Sequence, residues 1–288
     1  MNEKSVDGET GSRKDMKQRG GFLWKINYRE TEMYVFGTIH LGDNRFYPLA
    51  PCVEDAFNQA NVVMPEIYSN TTSMDQETLM KLALFKDDHT LDQMVRAELY
   101  QKLSAIFRQN GLDMEEFRKF QPWFIDLMLL NFATALSKVD SDKSVDGYLI
   151  NKAEKTGKSI VPLESEDMQS KVFSSFGLET QVQVLQRTIQ RYEQLPNETE
   201  QSAENWLNRD IRSFQQVRTE FETSGIHPEY FEKINDQRNR SMCKKLDQTL
   251  QSNRAQTYFV FVGAFHVLLE PSLPTLLANS GYQVERIL

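Results

Sequence analysis

Two histidines lie in closely matching local sequence at opposite ends of the chain. YVFGTIHL, from Tyr34 to Leu41, aligns without gaps to VFVGAFHV, from Val260 to Val267. Gly37 matches Gly263 and His40 matches His266, and the three positions before each glycine are apolar or aromatic. With thirteen glycines and four histidines in the chain, chance supplies far less than one G-x-x-H spacing. Two occur, and each follows a run that reads as a buried strand. Imidazoles titrate near neutral pH and ligate divalent metals, so two of them in one cleft suit metal or acid–base chemistry. The competing reading is two core histidines, each bonded to a backbone carbonyl.

Two carboxylates are delivered in the same way. Glu66 ends the run NVVMPEI and Glu164 ends SIVPL. A carboxylate there can ligate metal, act as general base or orient a histidine; the alternative is a strand-end acid facing water. Arg238 falls inside the helical stripe of Phe231, Ile234, Met242 and Leu246, with Asn239 on its flank. An arginine aimed at a core needs an anionic partner, either a structural carboxylate or a substrate. Asp146 reads more simply as an acid in the first turn of a helix, favoured there by the helix dipole. Walker, dinucleotide, HExxH and GxSxG motifs are absent.

The elements that must position these residues follow from periodicity. A hairpin is expected from Phe22 to Phe36, turning at Glu30–Thr31, with further strands at 61–67, 159–163, 258–262 and 282–287. Helices are expected at 48–61, over most of 73–136 and at 145–155, then as two long segments at 168–194 and 198–223. Two more are expected at 228–251 and 271–280. The expected fold is α+β: a mixed central sheet with two related strand-GxxH units and a large helical insertion, about 73–251. Residues 1–20 read as a polar disordered tail, and 21–288 as the domain. In open parallel sheets, ligands bind at the carboxyl ends of strands, which is where both histidines would sit.

Composition bounds the rest. Of 288 residues, 40% are apolar and 11% aromatic, enough for a substantial core. A net charge of −8 argues against a general nucleic-acid partner. The most apolar stretch, Trp123 to Leu136, is too short for a transmembrane span. Cys52 and Cys243 have no metal spacing and read as free thiols. No secretory signal is visible, so the expectation is a cytoplasmic protein. The helical middle could supply a homo-oligomer face.

As an ordered set, these residues resemble the TraB/GumN family, which is similar to the Tiki metalloproteases. The resemblance runs over about 22–288. It rests on LWKI, on G-T-I-H-L-G (Gly37–Gly42), on the strand ending in Glu66, and on Gln121-Pro122-Trp123. Next come Val145-Asp146-Gly147, Leu163-Glu164, Arg238-Asn239, Gly263-Ala264-Phe265-His266 and Gly281-Tyr282. The family usually has glycine where Phe265 stands, and a phenylalanine there narrows the cleft. The resemblance implies a Tiki-like fold with both G-x-x-H motifs at one site, and a divalent ion such as Mn or Co; Zn is a further candidate. On it rests the expectation of a metal-dependent hydrolase, a peptidase, with His40, His266 and Glu66 at the metal. Glu66 or Glu164 would be the general base, and Arg238 and Asn239 would stabilise the oxyanion or bind a substrate carboxylate. Alternatives are a metal-free esterase-like hydrolase, with a peptide or other small molecule as substrate, and a non-catalytic protein that sequesters a signal peptide.

Overall fold

The computed structural model describes residues 20–68, 76–252 and 255–288, with the side chains of 76–78 excepted. Apart from Gly20, the expected tail lies outside the described residues. In chain order the elements begin with β1 (Phe22–Tyr28), β2 (Thr31–Thr38), α1 (Pro51–Gln59), β3 (Val62–Pro65), α2 (Gln76–Ala83), α3 (Leu91–Met94), α4 (Ala97–Gln109) and α5 (Pro122–Ala135). They continue with α6 (Val145–Lys155), β4 (Ser159–Ile160), α7 (Met168–Ser174), α8 (Leu178–Arg191), α9 (Leu195–Leu207) and α10 (Ile211–Thr223). A short turn of helix (Glu229–Phe231) and a π-helical segment (Glu232–Asp236) lead into α11 (Gln237–Gln251). Then come β5 (Thr257–Gly263), α12 (Ala264–Leu268), α13 (Leu273–Asn279) and β6 (Gln283–Arg286). The fold is α+β, as expected.

The six strands form one sheet in the order β4-β3-β5-β2-β1-β6. β4, β3, β5 and β2 run parallel, and β1 pairs antiparallel with both β2 and β6. Four parallel strands put four carboxyl ends on one edge, and all the candidate residues leave the sheet there or pack onto it. β2 and β5, which carry the repeat, are direct neighbours. Their register pairs Gly37 with Val262 and Thr38 with Gly263, so the two glycines are offset by one position.

A core of Phe22, Phe36, Phe57, Phe259 and Phe261 lies around the sheet, each at most 1% exposed. Trp206 stacks on Phe46 with ring centroids 5.2 Å apart, and its indole N–H donates to the Gly37 carbonyl at 3.0 Å. A second cluster joins α4, α5 and α8 through Leu103, Phe107, Ile125, Leu129, Leu185 and Ile189. Two separate cores explain how so many helices fit between β3 and β5 without thickening one core. Pro122 opens α5 where a missing N–H costs nothing. No helix among the described residues is long and apolar enough to cross a membrane. Cys52 is half-buried, Cys243 is buried, and both are free thiols.

Several expectations change. The hairpin turns one residue earlier, at Arg29–Glu30, with Arg29 at φ 53°. The two long polar helices are four, because Gly177, Pro196 and the Asp210 cap each open a new helix. The expected strand 159–163 pairs regularly only at 159–160. Pro162 has no N–H, yet Val161 and Leu163 still donate to Val63 and Pro65 at 2.9 and 2.8 Å. The segment therefore tracks β3 as far as Glu164. The single helix expected at 228–251 contains the π-helical segment, in which the Gln237 N–H reaches the Glu232 carbonyl five residues back.

Candidate functional site

The edge of the parallel strands opens into a cavity of about 260 Å³ whose lining includes His40, His266, Glu66 and Arg238. β2 carries Thr38 to the edge, and His40 follows two residues later, outside the strand. Its Nδ1 lies 3.0 Å from Asp146 Oδ2. Thr38 holds the same carboxylate by donating to Oδ1 at 2.7 Å, and its hydroxyl lies 3.0 Å from the Val262 carbonyl. Ser144 caps α6 through the Gly147 N–H, which sets Asp146 in the first turn facing β2. The Asp146 charge is the largest influence on His40 and raises its imidazole to about 9. The imidazole is 58% exposed and so remains reachable from the cavity.

His266 is placed differently. Helix α12 starts directly after Gly263, and the histidine is buried in that short helix at 5% exposure. Its Nδ1 meets Asn239 Oδ1 at 2.6 Å. The Asn239 amide nitrogen already donates to the carbonyls of Pro271, at 2.8 Å, and His266, at 3.2 Å. Oδ1 is therefore the acceptor and His266 Nδ1 the donor, and Nε2 is the ring nitrogen turned toward Glu66. That nitrogen lies 3.6 Å from Glu66 Oε1, beyond hydrogen-bond length.

Glu66 continues β3 by donating its N–H to the Phe261 carbonyl at 2.8 Å, and it receives the Glu164 N–H on its own carbonyl at 2.9 Å. Its Oε2 accepts from the Gly263 N–H at 2.8 Å and its Oε1 from Arg238 Nη2. Arg238 also donates to Glu164, from Nε at 3.0 and 3.1 Å and from Nη2 at 2.5 Å, and from Nη1 to the Ile234 carbonyl at 3.2 Å. All three side chains are at most 11% exposed. Burial works to raise the Glu66 carboxyl, but His266, Arg238 and His40 hold it well below the usual carboxylate range. Burial likewise opposes the Arg238 charge, and the two glutamates raise its pKa nonetheless.

Six expected residues thus meet: His40, His266, Glu66, Glu164, Arg238 and Asn239. Their arrangement divides them. Arg238 and Glu164 bond chiefly to one another and to Glu66, and Asn239 bonds to His266 and to backbone carbonyls. His40 Nε2, the Glu66 carboxylate and the His266 ring border the space beside Gly263. A Cβ built on Gly263 would lie 3.4 Å from His40 Nε2, 3.6 Å from Glu66 Oε2 and 3.8 Å from His266 Cδ2. A side chain at position 263 would project into the space these three groups border, and a glycine leaves that space open. The histidines have the dressing typical of metal-ligating imidazoles, with Nδ1 held and Nε2 forward. Among the described residues, no group of three or more His, Cys, Asp or Glu side chains forms a ready-made ligand set.

Two contributors were not legible by residue type. Asp146 reads as a helix-terminal acid, and its role at His40 depends on a contact 106 residues distant. Thr38 is a polar residue between the glycine and histidine of the first motif, and only the register across to Val262 shows it as a brace. The remaining histidines lie elsewhere: His227 Nδ1 accepts from the Glu229 N–H at 3.1 Å, and His89 pairs with Asp87 at 2.8 Å.

A family model described as TraB/PrgY/gumN matches residues 22–286. The chain is similar to a protein named Metalloprotease TIKI1 from Danio rerio, 24% identical over 92% of this chain and 62% of the relative. It is also similar to Metalloprotease TIKI2 from Danio rerio, 21% identical over 95% of this chain and 62% of the relative. An uncharacterized protein of Treponema pallidum is 25% identical over 58% of this chain and 50% of its own length. The chain thus spans about half to three fifths of these relatives. No solved structure matches. The family match covers the whole six-stranded sheet and every residue of the strand-edge site, and the chain belongs to the TraB/PrgY/gumN family.

Proposed function

We propose that this protein is a hydrolase that cleaves an amide or peptide bond, assisted by a divalent ion held by His40 Nε2 and His266 Nε2. The observation that carries the reading is the meeting of His40 Nε2, the Glu66 carboxylate and the His266 ring beside Gly263, with His266 Nε2 3.6 Å from Glu66 Oε1. Charge supports it. Glu66 and Glu164 share a single guanidinium, so the pair keeps one negative charge; protonated His40, raised to about 9, offsets it at neutral pH, and a divalent ion at Nε2 would take that proton's place. The two relatives named as metalloproteases support it further.

A divalent ion such as Mn, Co or Zn would polarise the scissile carbonyl and make water a better nucleophile. The protein's own groups do the rest. Asp146 and Asn239 hold the imidazoles so that Nε2 faces the cavity. Arg238 fixes the Glu66 carboxylate, whose Oε2 borders the same space. Glu66 is then the group placed to accept a proton from water, while Glu164 acts through Arg238. The apolar walls of Phe173, Phe231 and Ile234 limit water around the reacting bond.

A metal-free hydrolase is the second reading, and Glu66 favours it. Both its oxygens are already taken, by Arg238 and the Gly263 N–H, which suits a carboxylate that orients rather than ligates. One assay separates the two. Protein stripped by chelator receives Mn, Co or Zn singly and is incubated with a peptide library read by mass spectrometry, beside His40→Ala/His266→Ala. Cleavage that returns with one ion and is absent in the double variant is the expected result. Cleavage that survives the chelator supports the second reading. No cleavage in any folded sample removes the hydrolase assignment.

A further inference from the structure

The cavity beside Gly263 has a neighbour. A second cavity, lined by Glu198, Gln201, Asn205 and Glu220, lies on the other side of Phe265, Phe214 and Ser202. These three residues line both cavities. Phe265 and Phe214 meet edge to face, with centroids 5.9 Å apart and planes at 73°. Phe214 is anchored in turn on Phe22, 5.6 Å away at 83°. The partition is therefore rooted in the sheet core and stands directly beside His266.

We propose that the outer cavity is a second substrate subsite, and that the substrate is an extended peptide crossing the Phe265–Phe214 partition. An apolar residue would occupy the inner cavity and a polar or basic residue the outer one. This deepens the hydrolase reading and rests on it.

Size and chemistry both point this way. At about 260 Å³, the inner cavity is smaller than the ~300–1,000 Å³ that encloses a drug-sized ligand whole. A larger ligand must continue outside, and the adjoining cavity is where the lining continues. The inner walls are mainly aromatic and aliphatic, from Ile39, Phe173, Phe231 and Ile234, so they take an apolar side chain. The outer cavity holds two carboxylates, Glu198 and Glu220, against one guanidinium, Arg191, which already pairs with Glu198 at 2.5 Å. Arg187 acts on both carboxylates but does not line the cavity, so within the lining Glu220 is the carboxylate without a facing cation and favours a cationic residue over an acidic one. An extended chain satisfies both ends at once, whereas a compact apolar molecule uses only the first. Phe265 sets the boundary, so its bulk decides how large the inner residue can be.

The test reads binding separately from cleavage. Affinities of N-acetylphenylalaninamide and of hexapeptides with one phenylalanine flanked by lysine or by glutamate are measured by calorimetry. The proteins are the wild type, Phe265→Ala, Phe265→Leu and Glu220→Lys. The expected result is binding of the lysine peptides at least tenfold tighter than the amide probe. Glu220→Lys should erase or reverse the preference for lysine and leave the amide unchanged. Phe265→Ala should flatten the ranking of peptides that carry Val, Phe or Trp at the inner position, and Phe265→Leu should do so less. Equal affinity for amide and peptides, an unchanged lysine preference in Glu220→Lys, or no binding of any probe overturns the proposal. Peptides bound with the expected profile and never cut would overturn the hydrolase reading while leaving the two subsites standing. Cleavage without the profile would do the reverse.

Discussion

His266 donates Nδ1–H to Asn239 Oδ1 at 2.6 Å, in a region where neither residue is more than 5% exposed. The bond crosses from α12 to the first turn of α11 and determines which ring nitrogen faces the cavity. Asn239→Ala removes the acceptor and the two bonds to the Pro271 and His266 carbonyls. Loss of such an orienting partner costs 10–100-fold in activity or metal affinity, and the unpaired carbonyls cost about 1–3 kcal/mol of stability. Peptide cleavage and Mn titration at low temperature, beside a melting curve, distinguish the two effects. Unchanged cleavage in a folded variant would refute the orienting role.

The two glycines of the repeat do different work, and alanine at each separates them. Gly263 has φ −52°, and a Cβ there meets nothing nearer than His40 Nε2 at 3.4 Å. Gly263→Ala should fold within about 1 kcal/mol of the wild type and still lower cleavage, because the methyl projects into the space bordered by His40 Nε2, Glu66 Oε2 and the His266 ring. At Gly37 a Cβ would lie 2.6 Å from Val267 Cγ2, an overpacking that costs about 1–3 kcal/mol. Urea midpoints and cleavage rates should therefore move in opposite patterns for the two variants. The self-match in sequence cannot separate these roles, because the glycines look equivalent there. The offset register, with Gly37 opposite Val262 and Gly263 opposite Thr38, is a property of the paired strands.

Arg238 links Glu66 and Glu164, all three nearly buried. Arg238→Met would leave two adjacent buried carboxylates without their cation, a loss of about 3–5 kcal/mol. Adding Glu164→Gln removes one of those charges and should restore part of the stability but not the cleavage. Equal stability of the single and double variants would show that the two carboxylates do not couple through the arginine. Here the sequence was informative in part. The helical stripe shows that Arg238 points inward, and the apolar runs show that both glutamates stand at strand ends. Which carboxylate it bonds depends on β4 lying beside β3 and on α11 packing over that edge, and no local pattern carries either. The π-helical segment before Arg238 was illegible for the same reason: one extra residue in a turn leaves the apolar period nearly intact.

Asp126 gives the pH dependence a source away from the site. It lies on α5 at 7% exposure, and its Oδ1 has no hydrogen-bond partner among the described residues. Burial raises its carboxyl to about 6, with Thr188 partly opposing. The folded pKa exceeds the unfolded one, so the folded state holds the proton more tightly. The contribution to stability is complete below the unfolded pKa of about 4 and is lost as pH rises through about 6. Between about pH 4.5 and pH 8 this amounts to roughly 2 kcal/mol. The salt-bridged carboxylates Glu66 and Asp43, whose pKa values are lowered, act in the opposite sense at acid pH, so the wild-type curve alone mixes the two. Asp126→Asn isolates the buried acid. The variant should gain stability relative to wild type as pH rises, by about 2 kcal/mol over that window. A difference between the two proteins that does not change with pH would show that Asp126 is ionised in the fold.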